Sequence, residues 1–194
     1  STLQIGNGGT TGSIVGDVVN YGTLVFNRSN TYQFDGVISG DGAIRQIGGG
    51  RTVLTGDSRD FDGTTAVEAG TLAVTGRLGG ALAVLSGGTL MGTGTVGSTT
   101  VAAGGTLAPG NAGGMLTVQG DLSLAAGSFY RVDISTIGAS RAHATGTASL
   151  AGTVVASFSP AASISRQYVI LDAAGGVSGG FNPIVVTNLP ATFK

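Results

Sequence analysis

The sequence contains no cysteine and no tryptophan, and His143 is its only histidine. The absence of cysteine excludes disulfide bonds, thiolate metal ligands and cysteine nucleophiles. A single histidine excludes any metal site within the chain that needs two of them. No apolar run approaches about 18 residues, so the sequence predicts no transmembrane helix.

Charged residues are also scarce. They make up 10% of the 194 residues, with a formal net charge of −1, whereas a typical soluble domain carries about 25%. The only lysine is Lys194, and no basic patch is present to neutralise phosphates, so we expect no nucleic-acid partner. Aromatic residues account for 6%, which suits a narrow core rather than a wide one.

Glycine is abundant, with 37 residues, and part of it belongs to a short repeat. The triplet Gly-Thr-Leu occurs at Gly70–Leu72, Gly88–Leu90 and Gly105–Leu107, at steps of eighteen and seventeen residues. Self-similarity at a short fixed period indicates a repeat architecture. Leu72 and Val74 fall on one side of an extended strand, and a neighbouring copy stacked about 4.8 Å away would bury them.

Such a short unit has no room for a crossover helix of about a dozen residues. Glycine pairs such as Gly79-Gly80 and Gly87-Gly88 can form corners with positive φ or close backbone approach. We therefore expect each turn to consist of strand, corner, strand and corner. The predicted fold is all-β, a right-handed parallel β-helix, which is a solenoid.

The pattern changes after about Gly127. The alternation becomes longer and the glycine pairs become rarer, which favours hairpins over further coils. An open solenoid end would leave unpaired backbone groups and an exposed apolar cross-section. We therefore predict parallel β-helix coils over residues 1–126 and a C-terminal, hairpin-containing cap over residues 127–194.

Two groups of side chains are predicted to form the interior. The stacked core comprises Leu72, Val74, Leu82, Val84, Leu90, Val101, Leu107, Leu116 and Val118. The cap residues are Tyr130, Val132, Phe158, Tyr168, Ile170 and Phe181. No cofactor and no metal are expected.

A serine-nucleophile site could use only His143 as its histidine, and Ser58 is the candidate serine. Ser58 follows Gly56-Asp57, a context that superficially resembles that of a catalytic serine. The tripeptide is common in turns rich in glycine, serine and aspartate, so we interpret Ser58 as a solvated turn residue. His143 lies in a polar stretch and is expected in a surface loop.

Paired carboxylates are a further candidate, because parallel β-helices include enzymes that act on polysaccharides. Asp57, Asp60, Asp62 and Glu68 form the densest acidic cluster. Glycosidases need two carboxyl groups about 5–9 Å apart, one of them with a raised pKa. Few aromatic residues are available to stack on sugars. We therefore expect Asp57–Ala69 to be an exposed, solvated corner, and the chain is predicted not to be an enzyme.

Two other candidate ligand sites are weak. Asp41, between Gly40 and Gly42, is a single acidic turn, and the nonapeptide that builds calcium-binding coils does not recur. Gly48–Gly50 invites comparison with a phosphate-binding loop, but the lysine and the following helix of such loops are missing.

The order of several segments resembles a known family. Ser29–Ile44, Gly50–Gly56 and Phe61–Leu72 resemble the passenger-associated repeat of bacterial autotransporters, the type V secretion systems. Gly87–Val96 and Gly104–Asn111 are similar to the segment that follows near the C-terminal end of such passengers. The region after residue 127 is similar to the pertactin-like autochaperone region.

The resemblance implies a function and a location. The chain would be the C-terminal stalk and folding nucleus of a passenger that crosses the periplasm and outer membrane and is displayed or secreted. Its partner would be the passenger's own C-terminal outer-membrane β-barrel translocator, and the chain is expected to be a piece of a longer protein. The alternative is a module that binds a host receptor, matrix or glycan, as an adhesin or virulence factor, through Asp57–Asp62 or through Arg45 and Arg51. A carbohydrate-active β-helix enzyme is a third, weaker alternative.

Overall fold

The computed structural model describes residues 1–111, 113–159 and 167–187. Within these ranges every regular element is a β-strand, and no helix is long and apolar enough to cross a membrane. In chain order the strands are β1 (Thr2–Ile5), β2 (Val18–Val19), β3 (Thr23–Phe26), β4 (Thr31–Phe34), β5 (Ile38–Ser39), β6 (Ala43–Gln46), β7 (Arg51–Leu54), β8 (Asp57–Ser58), β9 (Thr64–Val67), β10 (Gly70–Val74), β11 (Arg77–Leu78), β12 (Ala81–Val84), β13 (Gly88–Gly92), β14 (Thr95–Val101), β15 (Thr106–Pro109), β16 (Met115–Leu124), β17 (Phe129–Ser135), β18 (Gly138–Ala139), β19 (Arg141–Ala144), β20 (Ala148–Leu150), β21 (Thr153–Phe158), β22 (Leu171–Ala173), β23 (Val177–Gly179) and β24 (Asn182–Thr187).

The strands stack as a parallel β-solenoid of about seven turns, as predicted. Most strands pair in parallel with the strands of the neighbouring turns, in sheets of 13, 9 and 2 strands. Apart from β18, the strands form three columns. The first column holds β2, β5, β8, β11, the start of β14, the start of β16, β19 and β22. The middle column holds β1, β3, β6, β9, β12, the ends of β14 and β16, β20 and β23, and the third holds β4, β7, β10, β13, β15, β17, β21 and β24.

The expectation of two strands per turn was wrong. The structure has three strands per turn, and several strands of the first column contain two residues, such as β5 and β8. A two-residue strand is too short to show the alternation by which strands are recognised in a sequence, so a turn of three strands is easily counted as two.

Equivalent side chains lie directly over one another along the third column. Leu72 is the register partner of Leu90, and Leu90 is the partner of Leu107. Leu107 is followed by Tyr130 and then by Val154. Because alternate residues of a strand face the same side, this register places one inward side chain of every turn in a single continuous stack.

The composition of the core changes along the axis. Near the N-terminal end it is aromatic: the Phe26 ring lies 6.2 Å from Tyr32 and 6.4 Å from Phe34 between centroids. In the middle turns it consists of leucine and valine, and further on small residues such as Ala142 and Ala144 are fully buried. The thin interior is thus filled without tryptophan, and large aromatic side chains recur singly beyond the N-terminal cluster, at Phe61 and Tyr130.

Glycine at the corners is required by the close approach of successive turns. A Cβ atom on Gly97 would lie 1.8 Å from the carbonyl oxygen of Gly80, and one on Gly80 would lie 2.2 Å from that of Gly63. Gly87 adopts a φ of +88°, which other residues rarely adopt. Glycine at these positions lets the backbones of successive turns approach each other to the distance between neighbouring strands.

The coils continue beyond Gly127, which corrects the expectation that hairpins replace them. β17, β21 and β24 pair in parallel, as do β16, β19 and β22. One short antiparallel pair is present among the described residues, β17 with β18. The boundary between residues 1–126 and 127–194 stays a prediction, and residues 160–166 and 188–194 of the predicted cap lie outside the described residues.

The segment Asp57–Ala69 is only partly the exposed corner that was expected. It contributes β8 and β9 to two columns, and residues 59–63 between them form the corner. Phe61 at the centre of this corner is fully buried, and it forms an isolated parallel bridge with Gly40. The charged residues around Phe61 therefore flank an apolar anchor that fixes the corner to the core.

Candidate functional site

The structure places all nine predicted core residues in the interior. They are Leu72, Val74, Leu82, Val84, Leu90, Val101, Leu107, Leu116 and Val118, and each is at most 3% exposed. Leu82 and Val84 lie in the middle column, whereas Leu116 and Val118 lie in the first. Burial does not show whether these residues direct folding, so that role stays a prediction.

The six predicted cap residues fall into two groups. Tyr130 and Val132 are fully buried in β17. Phe158, Tyr168, Ile170 and Phe181 are partly buried and pack against the same core cluster. The second group lies towards the C-terminal end of the described coils, where burial is less complete.

Tyr130 joins three parts of the C-terminal turns. Its hydroxyl donates to the carbonyl oxygen of Ile170 at 2.5 Å and accepts from the backbone N–H of Ala142 at 2.9 Å. Its ring stacks on Phe181 with centroids 5.4 Å apart. Burial raises the pKa of the Tyr130 hydroxyl well above its usual range, so the group is a neutral phenol that can both donate and accept.

Ser58 and His143 do not form a catalytic pair. Ser58 is buried in β8, where its Oγ accepts from the backbone N–H of Ile38 at 2.8 Å. His143 lies in β19, four strand pairings further along the first column, which is roughly 19 Å. Both expectations, a solvated turn for Ser58 and a surface loop for His143, were wrong.

His143 is instead part of a contact between turns. Its Nδ1 lies 2.6 Å from Oδ2 of Asp172, which is its register partner in β22. The two side chains are partly exposed and lie beside a short strand. No sequence pattern indicates this pairing, because the two residues are 29 positions apart and belong to turns without the Gly-Thr-Leu repeat.

The carboxylates are engaged by arginine. Arg59 donates to both oxygens of Asp57, and Arg45 donates to both oxygens of Glu68 at 2.6 and 2.9 Å. These contacts hold the pKa of Asp57 and of Glu68 below the usual values. A glycosidase needs the opposite shift on its general acid, so neither carboxyl has the property of that acid.

The surroundings of Asp41 and of Gly48–Gly50 do not support a ligand site at either place. Among the described residues no group of three or more His, Asp or Glu side chains could hold a metal ion, and Asp41 is exposed. The backbone N–H groups of Gly48 and Gly50 donate to the carbonyl oxygens of Phe26 and Arg28 in the preceding turn. They are therefore not free to surround a phosphate.

A recess of about 430 Å³ lies at the corner between the first and middle columns, and the sequence did not predict it. We call it the corner recess. Its wall includes the side chains of Arg59, Arg77, Thr95, Ser98 and Gln119, with Gly97 in the floor. These residues come from four successive turns, so no local motif could have revealed it. The only trace of it in the sequence is glycine at residues 79, 80 and 97.

A part of the chain is similar to a known protein. No protein-family model matches the chain. The chain is 44% identical over 63 residues to the adhesin BmaC autotransporter of Brucella suis biovar 1 (strain 1330). The match covers 32% of this chain and 2% of that protein. The parallel β-solenoid and this similarity are together consistent with a fragment of an autotransporter passenger.

Proposed function

We propose that this chain is a stalk and folding nucleus within an autotransporter passenger that is displayed on the cell surface or secreted. The observation that supports it most is the register of the third column, in which Leu72, Leu90, Leu107 and Tyr130 follow one another in adjacent turns. Each new turn then makes its contacts with the previous one. Folding can advance turn by turn without the entropy cost of closing long loops.

The C-terminal turns are the proposed starting point. β16 and β17 are long strands, with 10 and 7 residues, so one turn there fixes many backbone hydrogen bonds. Tyr130 adds the side-chain bonds to Ile170 and Ala142. A passenger that leaves the cell through its own β-barrel translocator would expose such turns first, and their folding would favour outward movement.

Pulsed hydrogen exchange during refolding from denaturant tests this order. Peptides from 115–158 are expected to become protected before peptides from 23–54. Tyr130→Phe should slow refolding, whereas Tyr32→Phe, which removes a hydroxyl bonded to the backbone of Ile14, should leave the folding rate close to that of the parent chain. Protection that appears first at residues 23–54 would refute the proposed nucleus.

A second function, binding to a host cell or matrix, is supported by the similarity to a protein named as an adhesin. The two functions are compatible, since a rigid stalk also offers a long surface. The test is binding of the purified chain to cultured cells and to immobilised matrix proteins. Saturable binding is expected, and binding that rises linearly with concentration would argue against an adhesive surface.

A further inference from the structure

The corner recess exists because the corners of successive turns differ in length. Between β8 and β9 the chain makes a projecting corner, residues 59–63, whereas between β11 and β12 it uses only Gly79 and Gly80. In the next turn β14 passes this position without leaving the sheet, with a register shift between Gly97 and Thr99. Two short corners therefore lie beside a longer one, and the difference leaves a recess whose lining also includes Leu78 and Ala81.

The floor of the corner recess consists of backbone. A Cβ atom on Gly97 or Gly80 would meet a carbonyl oxygen of the preceding turn at 2.2 Å or less, so these glycines let the turns lie close together. Gly79, Gly80 and Gly97 line the recess, and they add no side chain to fill it. The volume of about 430 Å³ lies at the small end of the range of ligand sites, and it suits one or two sugar rings.

Two guanidinium groups border this floor. Arg77 is exposed, and among the described residues it makes no ion pair closer than 4 Å. Arg59 already donates to Asp57, which is the register partner of Arg77 in the adjacent strand. Arginine presents several N–H donors in one plane and binds carboxylate or sulfate groups through two bonds.

Uncharged polar groups complete the wall. The side chains of Thr95, Ser98 and Gln119 carry hydroxyl and amide groups, and Oγ of Ser98 accepts from the backbone N–H of Asp121 at 3.2 Å. No aromatic side chain of the described residues lines the cavity, so a sugar ring could not be held by stacking. Recognition must rest on charge and hydrogen bonds, which favours an acidic sugar over a neutral one.

We infer that the corner recess binds an acidic sugar unit of an extracellular glycan, with its carboxylate or sulfate group on Arg77 and Arg59. The inference rests on the adhesive function proposed above, and it adds a ligand class and a place. Because the ligand would be held by ion pairs with exposed guanidinium groups, the affinity should fall as salt is added. The ligand also competes with Asp57 for Arg59.

The test is a calorimetric titration of the whole chain with three oligosaccharides of matched length. They are a heparin tetrasaccharide, which carries sulfates, a hyaluronan tetrasaccharide, which carries only carboxylates, and neutral maltotetraose. At least one acidic saccharide is expected to bind saturably, and the neutral one is not. Binding of hyaluronan shows that a carboxylate is sufficient, and binding of the heparin fragment without binding of hyaluronan shows that sulfate is needed. Equal binding of all three, or binding of none, would overturn the inference.

Three variants assign the binding to the recess. Arg77→Gln should weaken binding about tenfold or more, because a charge-assisted bond is lost. Arg51→Gln, an equal change of charge in β7 of the third column, should change it less than about twofold. Asp57→Asn should strengthen binding, because it releases Arg59. An unchanged affinity in Arg77→Gln, or weaker binding in Asp57→Asn, would overturn the assignment.

The outcome separates this inference from the function on which it rests. Saturable binding of the chain to cells that Arg77→Gln leaves intact would refute the recess and keep the adhesive function. Saccharide binding without any binding to cells would keep the recess as a binding site and refute the adhesive function. A short polyglutamate peptide serves as a further probe, and tighter binding of that peptide than of any saccharide would overturn the choice of a glycan.

Discussion

The middle turns, β10 to β15, and the C-terminal turns, β17 to β24, use the same parallel stacking but are stabilised differently. In the middle turns leucine and valine are fully buried at almost every inward position. In β22, β23 and β24 no residue is buried. There the contacts between turns include side-chain hydrogen bonds of Tyr130 and His143. Because Val132, Ala142 and Val154 in β17, β19 and β21 are still buried, the polar bonds of the C-terminal turns add to an apolar core that becomes incomplete only at β22–β24.

The largest effect is expected from Leu107→Asp, which tests how much apolar burial stabilises the middle turns. The substitution places an unpaired charge between Leu90 and Tyr130 in the third column, and it should cost at least about 3 kcal/mol of unfolding free energy. Thermal unfolding followed by circular dichroism measures it. Thr106→Asp, one residue earlier on the outward side, is the control and should have a small effect. An unchanged midpoint for Leu107→Asp would contradict the stacked core.

Tyr130→Phe tests how much the side-chain hydrogen bonds between turns stabilise the C-terminal turns. It keeps the ring against Phe181 and removes the hydroxyl that lies between Ala142 and Ile170. We expect a loss of about 1–2 kcal/mol in denaturant unfolding. Tyr21→Phe, which changes a hydroxyl on a residue that is 77% exposed, is the control. Equal stability of both variants would show that the C-terminal turns also depend on burial alone.

A smaller, pH-dependent effect is expected at Asp121. Its carboxylate accepts hydrogen bonds from the backbone N–H and from the hydroxyl of Thr147. These bonds lower the pKa of Asp121, the backbone bond more than the hydroxyl bond. A lowered folded-state pKa stabilises the fold above the unfolded value of about 3.9 and loses this contribution as the pH falls through the folded value. Between pH 6 and pH 3 the parent chain should therefore lose more stability than Asp121→Asn.

The control for this prediction is Asp62→Asn, at the exposed corner between β8 and β9. Melting temperatures of the parent chain and both variants across the same pH range provide the measurement. If Asp121→Asn and the parent chain lose stability in parallel, the bonds from Thr147 do not contribute to the link between these turns.

The smallest effect is expected from Arg45→Gln, which removes an ion pair between turns in the N-terminal half. Its partner Glu68 lies one turn away, and the two side chains are 46% and 30% exposed. Exposed pairs contribute little and are screened by salt. The variant should melt slightly below the parent chain in low salt and together with it in about 1 M salt. A large loss that persists in high salt would show that exposed polar bonds between turns also contribute strongly to stability in the N-terminal half.

The architecture could be predicted from the sequence best where the repeat is regular. The recurrence of Gly-Thr-Leu at steps of eighteen and seventeen residues is enough to predict that Leu72, Leu90 and Leu107 are neighbours. The burial of Phe61 inside a charged segment was not predicted, because a corner residue has no periodic neighbours. Contacts such as His143 with Asp172 were missed for a related reason. Where turns lengthen irregularly, residues one turn apart cannot be paired by counting.

The corner recess was missed because it depends on a difference between turns. Each of its corners looks ordinary in the sequence, and only the backbone stacking brings Arg59, Arg77 and Gln119 around Gly97. The sequence does point to the charged corner at Asp57–Asp62 as a binding patch. The structure adds the neighbouring glycine corners, which turn that edge into a cavity.

The near-identity of β10, β13 and β15 has a consequence for how such a chain can change its length. Removing residues 88–104 would bring Thr71 and Leu72 next to Thr106 and Leu107. The present neighbours of Thr71 and Leu72 are also a threonine and a leucine, so the residue types in contact would not change. Duplicating that segment would likewise insert a rung that matches both sides. The reach of the molecule can thus be adjusted in whole increments, by recombination within the repeats, while every interface between rungs keeps its chemistry.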